Sequence, residues 1–258
     1  MFFSPQGKRL GLDAQHAERA AMSGGKNLLI TGNSSGLGEA LTRFYLAQGW
    51  NVYGCSRRGC AEQAEPLQDI HCDLSDFDAI PGMMDVLLEP AEGLDLVILN
   101  AGILGELEAF HKVSLEDARQ VMDVNLWANK VILDWLQGWD KPLRQIVAIS
   151  SGAAVNGSKG WAGYALSKAA LNMLIKLYAH EFPASHLSAL APGLIDTGMM
   201  EYLCSQPDPA EFPAVLRLRD SRDTGGTPPA DEAAARIAAA IPHLYDYPSG
   251  EFVDIRTM

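Results

Sequence analysis

The sequence lacks the features that mark disulfide-bonded, membrane-spanning or metal-binding proteins. Its only cysteines are Cys55, Cys60, Cys72 and Cys204, and no two of them form a C-x-x-C pair. His71 beside Cys72 supplies too few ligands to predict a metal site. No apolar run approaches the roughly 20 residues that a bilayer-spanning helix needs. We therefore expect no metal, free thiols in a reducing compartment and a cytoplasmic location.

Basic side chains are also in short supply. The 258 residues include 20 lysines and arginines against 32 aspartates and glutamates, which gives a net charge of −12. Because such a protein is repelled by nucleic acid and by anionic membranes, we expect neither as a partner. The length suits one large α/β domain or two small ones, and a hydrophobic content of 48% supports a substantial core.

Strand-like and helix-like segments alternate along the chain. The predicted strands are Leu28–Ile30, Asn51–Ser56, Asp69–Cys72, Leu94–Leu99, Gln145–Ile149, His186–Ala191 and Glu251–Ile255. The predicted helices are Glu39–Gly49, 76–89 (disturbed by Pro81 and Gly82), 114–137 (opened by Ser114 and Asp117), 160–181, and one from Pro229 to about Ala240. This order predicts an α/β fold, a doubly wound Rossmann-type parallel sheet with three α/β/α layers. We assign residues 1–25 to an N-terminal extension and 26–258 to a single domain.

A glycine-rich turn follows the first strand. Gly32, Gly36 and Gly38 have the spacing G-x-x-x-G-x-G, which differs from the G-x-G-x-x-G of the common dinucleotide fingerprint. Glycines let the backbone approach a ligand closely, and the N–H groups at a helix N-terminus attract an anion. The turn therefore predicts a diphosphate site, and the alternative is a glycine-rich turn without a ligand.

A serine, a tyrosine and a lysine form a second pattern. Tyr164 and Lys168 are four residues apart, and Ser151 precedes Tyr164 by thirteen. Since positions i and i+4 share a helix face, the lysine charge is expected to lower the tyrosine pKa from its usual value of about 10. A nearby serine hydroxyl would hold a carbonyl oxygen while the tyrosine gives or takes its proton. With the glycine turn, this suggests nicotinamide-dependent carbonyl chemistry, whereas a lone Y-x-x-x-K pair is usually just helix surface.

Six motifs in a fixed order give the chain its family resemblance. They are TGNSSGLG (Thr31–Gly38), NAG (Asn100–Gly102), Asn125, Ser151, Tyr164 with Lys168, and PGLIDT (Pro192–Thr197). In this order they resemble the short-chain dehydrogenase/reductase family from about residue 26 to 257. The ending SGEFVDI (Ser249–Ile255) is similar to the last strand of that family, and the overall pattern is most similar to the sepiapterin and benzil reductase type.

The resemblance implies a catalytic set of four residues. Tyr164 would donate the proton in carbonyl reduction, and Lys168 would lower its pKa and hold the nicotinamide ribose. Ser151 would bond the carbonyl oxygen, and Asn125 would position a water that links Lys168 to solvent. For Asn125 the alternative is an ordinary polar residue within a helix.

The resemblance also implies which residues of the single domain bind the dinucleotide. The phosphate turn would comprise Gly32, Ser34, Ser35, Gly36, Leu37 and Gly38. Adenine would meet Asp73 and Leu74, and its ribose would meet Asn100, Ala101 and Gly102. The nicotinamide end would contact Tyr164, Lys168, Pro192, Gly193, Ile195 and Thr197.

The end of the second strand favours NADP(H) over NAD(H). A site that selects NAD usually has an acid here for the ribose 2′-OH, but Ser56 occupies that region. Arg57 and Arg58 follow, and arginine is the natural partner of a 2′-phosphate. Against this, Ser35 stands where many NADP-using members carry a base, and the two arginines are alternatively a solvated strand end.

The sequence says less about the substrate. Met199, Met200, Tyr202 and Leu203 suggest an apolar wall, or alternatively core packing. Residues 204–229 are interpreted as a mobile segment that covers the substrate, or as a plain surface excursion. We expect an NADP(H)-dependent reductase acting on a small-molecule ketone or diketone. By resemblance, it is expected to be a homodimer or homotetramer.

Two other functions remain open at this point. GNSSG (Gly32–Gly36) matches the G-x-S-x-G of a hydrolase, with Ser34 as nucleophile and His243 as a partner. That assignment leaves the tyrosine, lysine and arginines unexplained. The second alternative is a non-catalytic dinucleotide sensor, which the intact catalytic set argues against.

Overall fold

A computed structural model describes residues 25–62, 64–205 and 211–258. Seven parallel strands form one sheet in the order β3-β2-β1-β4-β5-β6-β7. The strands are β1 (Asn27–Thr31), β2 (Asn51–Ser56), β3 (Leu67–His71), β4 (Leu96–Leu99), β5 (Gln145–Ile149), β6 (His186–Ala191) and β7 (Phe252–Asp254). The strand order reverses between β1 and β4, which confirms the predicted doubly wound α/β fold and places the ligand crevice at their carboxyl ends.

Nine α-helices lie in the described part of the chain. They are α1 (Gly36–Ala47), α2 (Ala79–Leu87), α3 (Leu115–Met122), α4 (Ala128–Gly138), α5 (Ala153–Asn156), α6 (Ala162–Tyr178), α7 (Gly198–Ser205), α8 (Pro213–Asp223) and α9 (Ala230–Ala240). Short 3-10 turns follow at Phe110–Lys112, Ile241–Asp246 and Ile255–Thr257, and a π-helical turn at Asp123–Trp127 joins α3 to α4.

Side chains of β1 alternate between two separate cores, as the period of a strand requires. Leu29 packs into one core with α2, α4 and α6. Leu28 and Ile30 pack into the other with α1 and α9. All three side chains are fully buried, so helices cover both faces of the sheet and the predicted three layers are present.

Several predicted boundaries shift in the structure. The helix predicted over 114–137 is broken by the π-helical turn, although Ser114 caps its start by accepting from Asp117 N at 3.0 Å. Within the predicted segment 204–229, α8 (Pro213–Asp223) packs against apolar neighbours. Residues 206–210 and the predicted extension, apart from Gly25, lie outside the described residues. No helix in the described ranges is long and apolar enough to cross a membrane.

Candidate active site

The glycine turn between β1 and α1 is tightly folded. Gly32 and Gly36 have positive φ angles of 72° and 58°, a backbone region that favours glycine. A Cβ atom on Gly38 would lie 2.1 Å from the Gly32 carbonyl oxygen. Each of the three glycines is therefore required by the backbone, and Ser34 and Leu37 lie between them.

The N-terminus of α1 has no side-chain cap. Ser35 occupies the N-cap position, yet its side chain makes no capping hydrogen bond to the first turn. Those N–H groups and the positive end of the helix dipole remain available to an anion. At the same edge of the sheet, Asn33 Oδ1 and Ser56 Oγ are buried without a protein partner. Because such atoms are rare in native proteins, the residues present fit a dinucleotide.

The two arginines after β2 lie beside the predicted adenosine site. Arg58 Nη2 donates to Ser35 Oγ at 3.2 Å, which connects it to the glycine turn. Two hydrogen bonds from Ser75 and the nearby charge of Arg57 hold the pKa of Asp73 below its usual value. Arg57 is therefore near the residue predicted at the adenine, and Arg58 is near the predicted phosphate turn.

The other residues predicted at the adenosine follow β3 and β4. Leu74 is buried in the core. Asn100 Nδ2 donates to the carbonyl oxygens of Thr31 at 3.0 Å and Gly32 at 3.1 Å. In return, Thr31 Oγ1 accepts from the backbone N–H groups of Asn100 and Ala101, each at 3.1 Å. The N-A-G segment is thus fixed against the start of the glycine turn.

The predicted catalytic serine and tyrosine face each other across the end of the sheet. Burial raises the pKa of Tyr164, and a hydrogen-bonding interaction of its hydroxyl with Ser151 opposes that rise. Ser151 Oγ also accepts from Ala153 N at 3.1 Å. The neighbouring Ser150 is buried and donates instead to Asn172 Oδ1 at 2.5 Å. Of the two serines, it is therefore Ser151 that is directed at the tyrosine.

Lys168 lies one turn further along α6 and is only 3% exposed. Its Nζ donates to the Ile149 carbonyl oxygen at 2.7 Å and lies 5.7 Å from the centroid of the Tyr164 ring. Burial lowers the pKa of this amine to about 8. A Cβ atom on Gly102 would lie 3.4 Å from Lys168 Nζ, so the N-A-G segment passes directly over the amine.

The pKa of Tyr164 does not follow the prediction from the sequence. Burial raises this pKa, and the interaction with Ser151 only opposes the rise. The Lys168 amine is bonded to the Ile149 carbonyl, and the net change in the Tyr164 pKa is the rise that burial causes. Tyr164 is consequently protonated at neutral pH, which is the form that a proton donor needs.

Asn125 is fully buried in the π-helical turn between α3 and α4. Its Oδ1 accepts from Ile103 N at 2.8 Å, and its Nδ2 donates to Ile103 O and Ser167 Oγ, each at 2.9 Å. Its backbone carbonyl accepts from Asn129 Nδ2 at 2.8 Å. Asn125 is thus more than an ordinary polar helix residue, because it joins the segment after β4 to the helix that carries Tyr164.

The residues predicted at the nicotinamide follow β6. Pro192 and Gly193 lead out of the strand, with a φ of 81° at Gly193. Ile195 packs at the edge of the second core. The Thr197 methyl group would lie 3.4 Å from a Cβ atom on Gly36. This segment therefore meets the glycine turn and closes the crevice from the side opposite the N-A-G segment.

One charged residue at the crevice escaped the sequence analysis. Arg256 Nη2 would lie 3.3 Å from a Cβ atom on Gly152, and Arg256 Cδ would lie 3.8 Å from one on Gly193. Asp254 accepts from Arg256 Nε at 2.9 Å and from Nη2 at 2.5 Å. In the sequence, the only feature that indicates a site residue is the position of Arg256 just beyond the last strand, at the carboxyl ends of the strands.

A small apolar cluster lies beside Tyr164, and we call it the substrate-side cluster. Met200 and Leu203 on α7 are buried, whereas Met199 and Tyr202 are 36% and 42% exposed. The four residues predicted as a wall are therefore divided between packing and surface. The buried members of the cluster, most of which the sequence analysis missed, are Leu104, Trp161, Leu203, Phe212, Ala214 and Val215, and Tyr164 packs against them.

Comparisons with known proteins agree with this arrangement. The sequence matches the family model described as short chain dehydrogenase over residues 26–208. It is 28% identical to a benzil reductase ((S)-benzoin forming) of Bacillus subtilis, covering 83% of this chain and 92% of that protein. It is 30% identical to 3beta-hydroxysteroid dehydrogenase 1 of Eggerthella lenta, covering 67% and 72% of the two chains.

A solved structure shows the same fold. A short-chain dehydrogenase/reductase of Saccharomyces cerevisiae superposes with a TM-score of 0.75 at 21% identity, covering 90% of this chain and 96% of that one. The family match spans most of the sheet, from β1 through β6. The chain belongs to the short-chain dehydrogenase/reductase family.

Proposed function

We propose that the chain is an NADP(H)-dependent oxidoreductase that reduces a ketone or diketone to an alcohol, with Tyr164 as the proton donor. The observation that carries the proposal is the meeting of Ser151, Tyr164 and Lys168 at the carboxyl edge of the sheet. Ser151 lies in the loop after β5, whereas Tyr164 and Lys168 lie on α6.

The geometry supports a separate role for each residue. The Ser151 and Tyr164 hydroxyls form a pair of donors for one carbonyl oxygen, and the serine stabilises the negative charge that grows there. NADPH, held by the glycine turn and the segment after β6, would supply the hydride. Burial keeps Tyr164 protonated until it donates, and the Lys168 charge near its ring stabilises the tyrosinate that remains. Asn125 Oδ1 and Lys168 Nζ both face Gly102, which supports a role for Asn125 in resupplying the proton through a water.

The preference for NADP(H) rests on the residues after β2. No acidic side chain follows Ser56 directly, and two arginines stand in its place. Arg58 bonds to the glycine turn and Arg57 lies near Asp73. An arginine guanidinium makes two parallel, charge-assisted hydrogen bonds to a phosphate, whereas a ribose hydroxyl carries no charge.

An apolar substrate suits the cluster beside Tyr164. Its buried aromatic members, Trp161 and Phe212, offer a surface for a ring or an alkyl chain. The benzil reductases among the relatives are named for a diketone, which supports the same class of substrate here.

We further propose that the protein is a homodimer or homotetramer in the cytoplasm. Large apolar side chains lie exposed along α3, α6 and the π-helical turn, and a second copy of the chain would cover them: Leu115, Trp127, Leu166, Met173 and Leu177. The four cysteines are unpaired, as expected in a reducing compartment. Light scattering would report the mass in solution, and a monomer would contradict this assembly.

Screening a panel of carbonyl compounds tests the activity. The oxidation of NADPH is monitored by its loss of absorbance. We expect oxidation of NADPH with apolar ketones and diketones, and much weaker oxidation of NADH. Tight binding of NADPH with no turnover on any carbonyl would favour the sensor instead. Ester hydrolysis without a cofactor, abolished by Ser34→Ala, would favour the hydrolase.

A further inference from the structure

A single carboxylate connects the glycine turn to the segment that carries the two arginines. Asp69 lies on the edge strand β3. Its Oδ1 accepts from Asn33 Nδ2 in the glycine turn at 2.7 Å. Its Oδ2 accepts from the backbone N–H of Cys60 at 2.8 Å. Two loops that are separate in sequence thus depend on the same side chain for their relative position.

Two glycines make room for this contact. Gly54 pairs with Asp69 in the sheet register, and a Cβ atom on Gly54 would lie 2.1 Å from Asn33 Nδ2. Gly59 has a φ of 76°, and a Cβ atom there would lie 2.3 Å from His71 Nε2 and 3.2 Å from Asp69 Oδ2. The backbone on both sides of Asp69 is therefore shaped to bring the two loops onto its carboxylate.

The segment from residue 57 to 60 is consequently fixed at both ends. Its start continues β2 directly, and its end is bonded to Asp69 through Cys60 N. Between these points lie Arg57 and Arg58, and Arg58 reaches back to Ser35. A short loop held at both ends loses little further freedom when its side chains bind a ligand.

We propose that Asp69 is a positioning residue for recognition of the cofactor 2′-phosphate, because it holds the arginine segment against the glycine turn. The inference rests on the proposed use of NADP(H) through Arg57 and Arg58. Both carboxylate oxygens of Asp69 already accept from N–H donors. Its charge is thus engaged by the protein, and its effect on the phosphate acts through the arginines.

The unpaired atom of Asn33 gives the proposal a sharp test. Asn33 Oδ1 is buried without a partner, so rotation of the Asn33 amide would present this oxygen to a new donor. In Asp69→Asn the new amide oxygen accepts from Cys60 N, and the new amide nitrogen donates to the rotated Asn33. The conservative variant therefore keeps both connections, whereas Asp69→Ala removes both.

Binding of NADPH and NADH, measured by the fluorescence of the reduced nicotinamide, is the readout, since the two differ only in the 2′-phosphate. For Asp69→Ala we expect the dissociation constant of NADPH to rise about tenfold, the loss of roughly one charge-assisted contact. That of NADH should change less than about threefold, and Asp69→Asn should restore most of the NADPH affinity. Asp95→Ala is the matched control. Asp95 Oδ2 also accepts a backbone N–H, from Asn27 at 2.9 Å, but it does so at the amino ends of the strands. It should leave the ratio of the two constants unchanged.

The outcomes separate this inference from the proposal beneath it. If the unmodified protein does not prefer NADPH, the cofactor assignment fails and the role of Asp69 fails with it. If the protein prefers NADPH but Asp69→Ala weakens both cofactors equally, Asp69 merely supports the glycine turn and only the positioning role is overturned. A folded Asp69→Asn variant that binds NADH normally but does not regain its NADPH affinity would overturn the positioning role as well.

Discussion

The two ends of the crevice are built in different ways. At the proposed cofactor end, polar side chains hold the segments after the strands together through hydrogen bonds, as Asn100 does with Thr31 and Asn125 does with Ile103. At the substrate end, α7 and α8 rest on a small apolar cluster. Two exposed ion pairs support them, Lys159 with Glu211 at 3.2 Å and Arg222 with Asp196 at 3.1 Å.

This difference has an energetic meaning. Buried hydrogen bonds are directional and specify one backbone arrangement, since an unsatisfied group would cost about 1–3 kcal/mol. Exposed ion pairs contribute about 0–1 kcal/mol each, and apolar contacts are not directional. The proposed cofactor end is therefore fixed before a ligand binds, whereas the packing at the proposed substrate end is less tightly specified.

The largest expected effect is on the group shared by both ends. Tyr164→Phe retains the ring that packs on the substrate-side cluster and removes the proton, so turnover should fall by about 10²–10⁴-fold. The dissociation constant of NADPH should remain nearly unchanged. Tyr178→Phe, on the same helix but bonded to Asp134, should retain full turnover. Normal turnover in Tyr164→Phe would falsify the catalytic assignment.

The next largest effect distinguishes the cofactors. Arg57→Ala should raise the Michaelis constant for NADPH about tenfold to a hundredfold, because a charge-assisted hydrogen bond contributes about 1.5–3 kcal/mol. NADH should be almost unaffected, and the double variant with Arg58→Ala should lose more. Arg144→Ala removes the same charge at the other edge of the sheet and should change neither constant. A preference for NADH in the unmodified protein would make both arginines surface charges.

A third prediction concerns the stability cost of the buried lysine. Burial lowers the pKa of Lys168 from 10.5 to about 8, which opposes folding by about 3 kcal/mol at 1.36 kcal/mol per pH unit. Lys168→Met leaves the Ile149 carbonyl without this donor, at a cost of about 1–3 kcal/mol. The net gain in the free energy of unfolding at pH 7 should therefore be at most about 2 kcal/mol, while turnover is lost.

The pH dependence identifies the cause of that gain. The unfolded protein binds more protons at this site than the folded one between about pH 8 and 10.5, so the lysine penalty is complete below pH 8 and fades as the pH rises. The advantage of Lys168→Met in urea unfolding should therefore shrink across this range. Lys176→Met, an exposed position on the same helix, should give no such pH-dependent gain. A gain that is constant with pH would point to packing instead.

The same difference explains what the sequence could predict. The α/β order and the glycine turn follow from local rules, because strand periodicity and positive φ angles leave direct traces in Leu28–Ile30 and in Gly32 and Gly36. β2, β5 and β6 have the predicted bounds. Motif order identified Ser151 and Tyr164, which the structure brings together.

Other features leave no local trace. The π-helical turn at Asn125 arises from contacts with Ile103 and Ser167, which lie 22 and 42 residues away in sequence. The raised pKa of Tyr164 depends on burial by distant elements, whereas the i, i+4 spacing in the sequence indicates only that Lys168 is near. The role of Phe212 in the substrate-side cluster likewise depends on how α8 folds back over the sheet.

A fourth prediction tests the substrate end alone. Phe212 is 7% exposed and lies in the substrate-side cluster. Phe212→Ala should raise the Michaelis constant for an apolar carbonyl by about tenfold, equivalent to about 1.4 kcal/mol, with NADPH binding within about twofold of normal. Phe182 is similarly buried, at 6%, but belongs to the main core. Phe182→Ala should lower the melting temperature and leave the substrate constant unchanged. Equal loss of cofactor affinity in Phe212→Ala would show that the two ends are one unit.

The smallest effect is expected from the segment before the sheet. β1 begins at Asn27, at the amino ends of the strands, whereas the residues assigned to the site lie at the carboxyl ends. Deletion of residues 1–21 should therefore change neither the turnover number nor the dissociation constant of NADPH by more than about twofold, a difference below roughly 0.4 kcal/mol. Both constants must be measured with the two proteins in the same oligomeric state, because a change of oligomeric state could alter them indirectly. A large rise in the Michaelis constant for the substrate alone would show that residues 1–21 contribute to the substrate end of the crevice. A rise in the dissociation constant of NADPH would show that they contribute to the cofactor end.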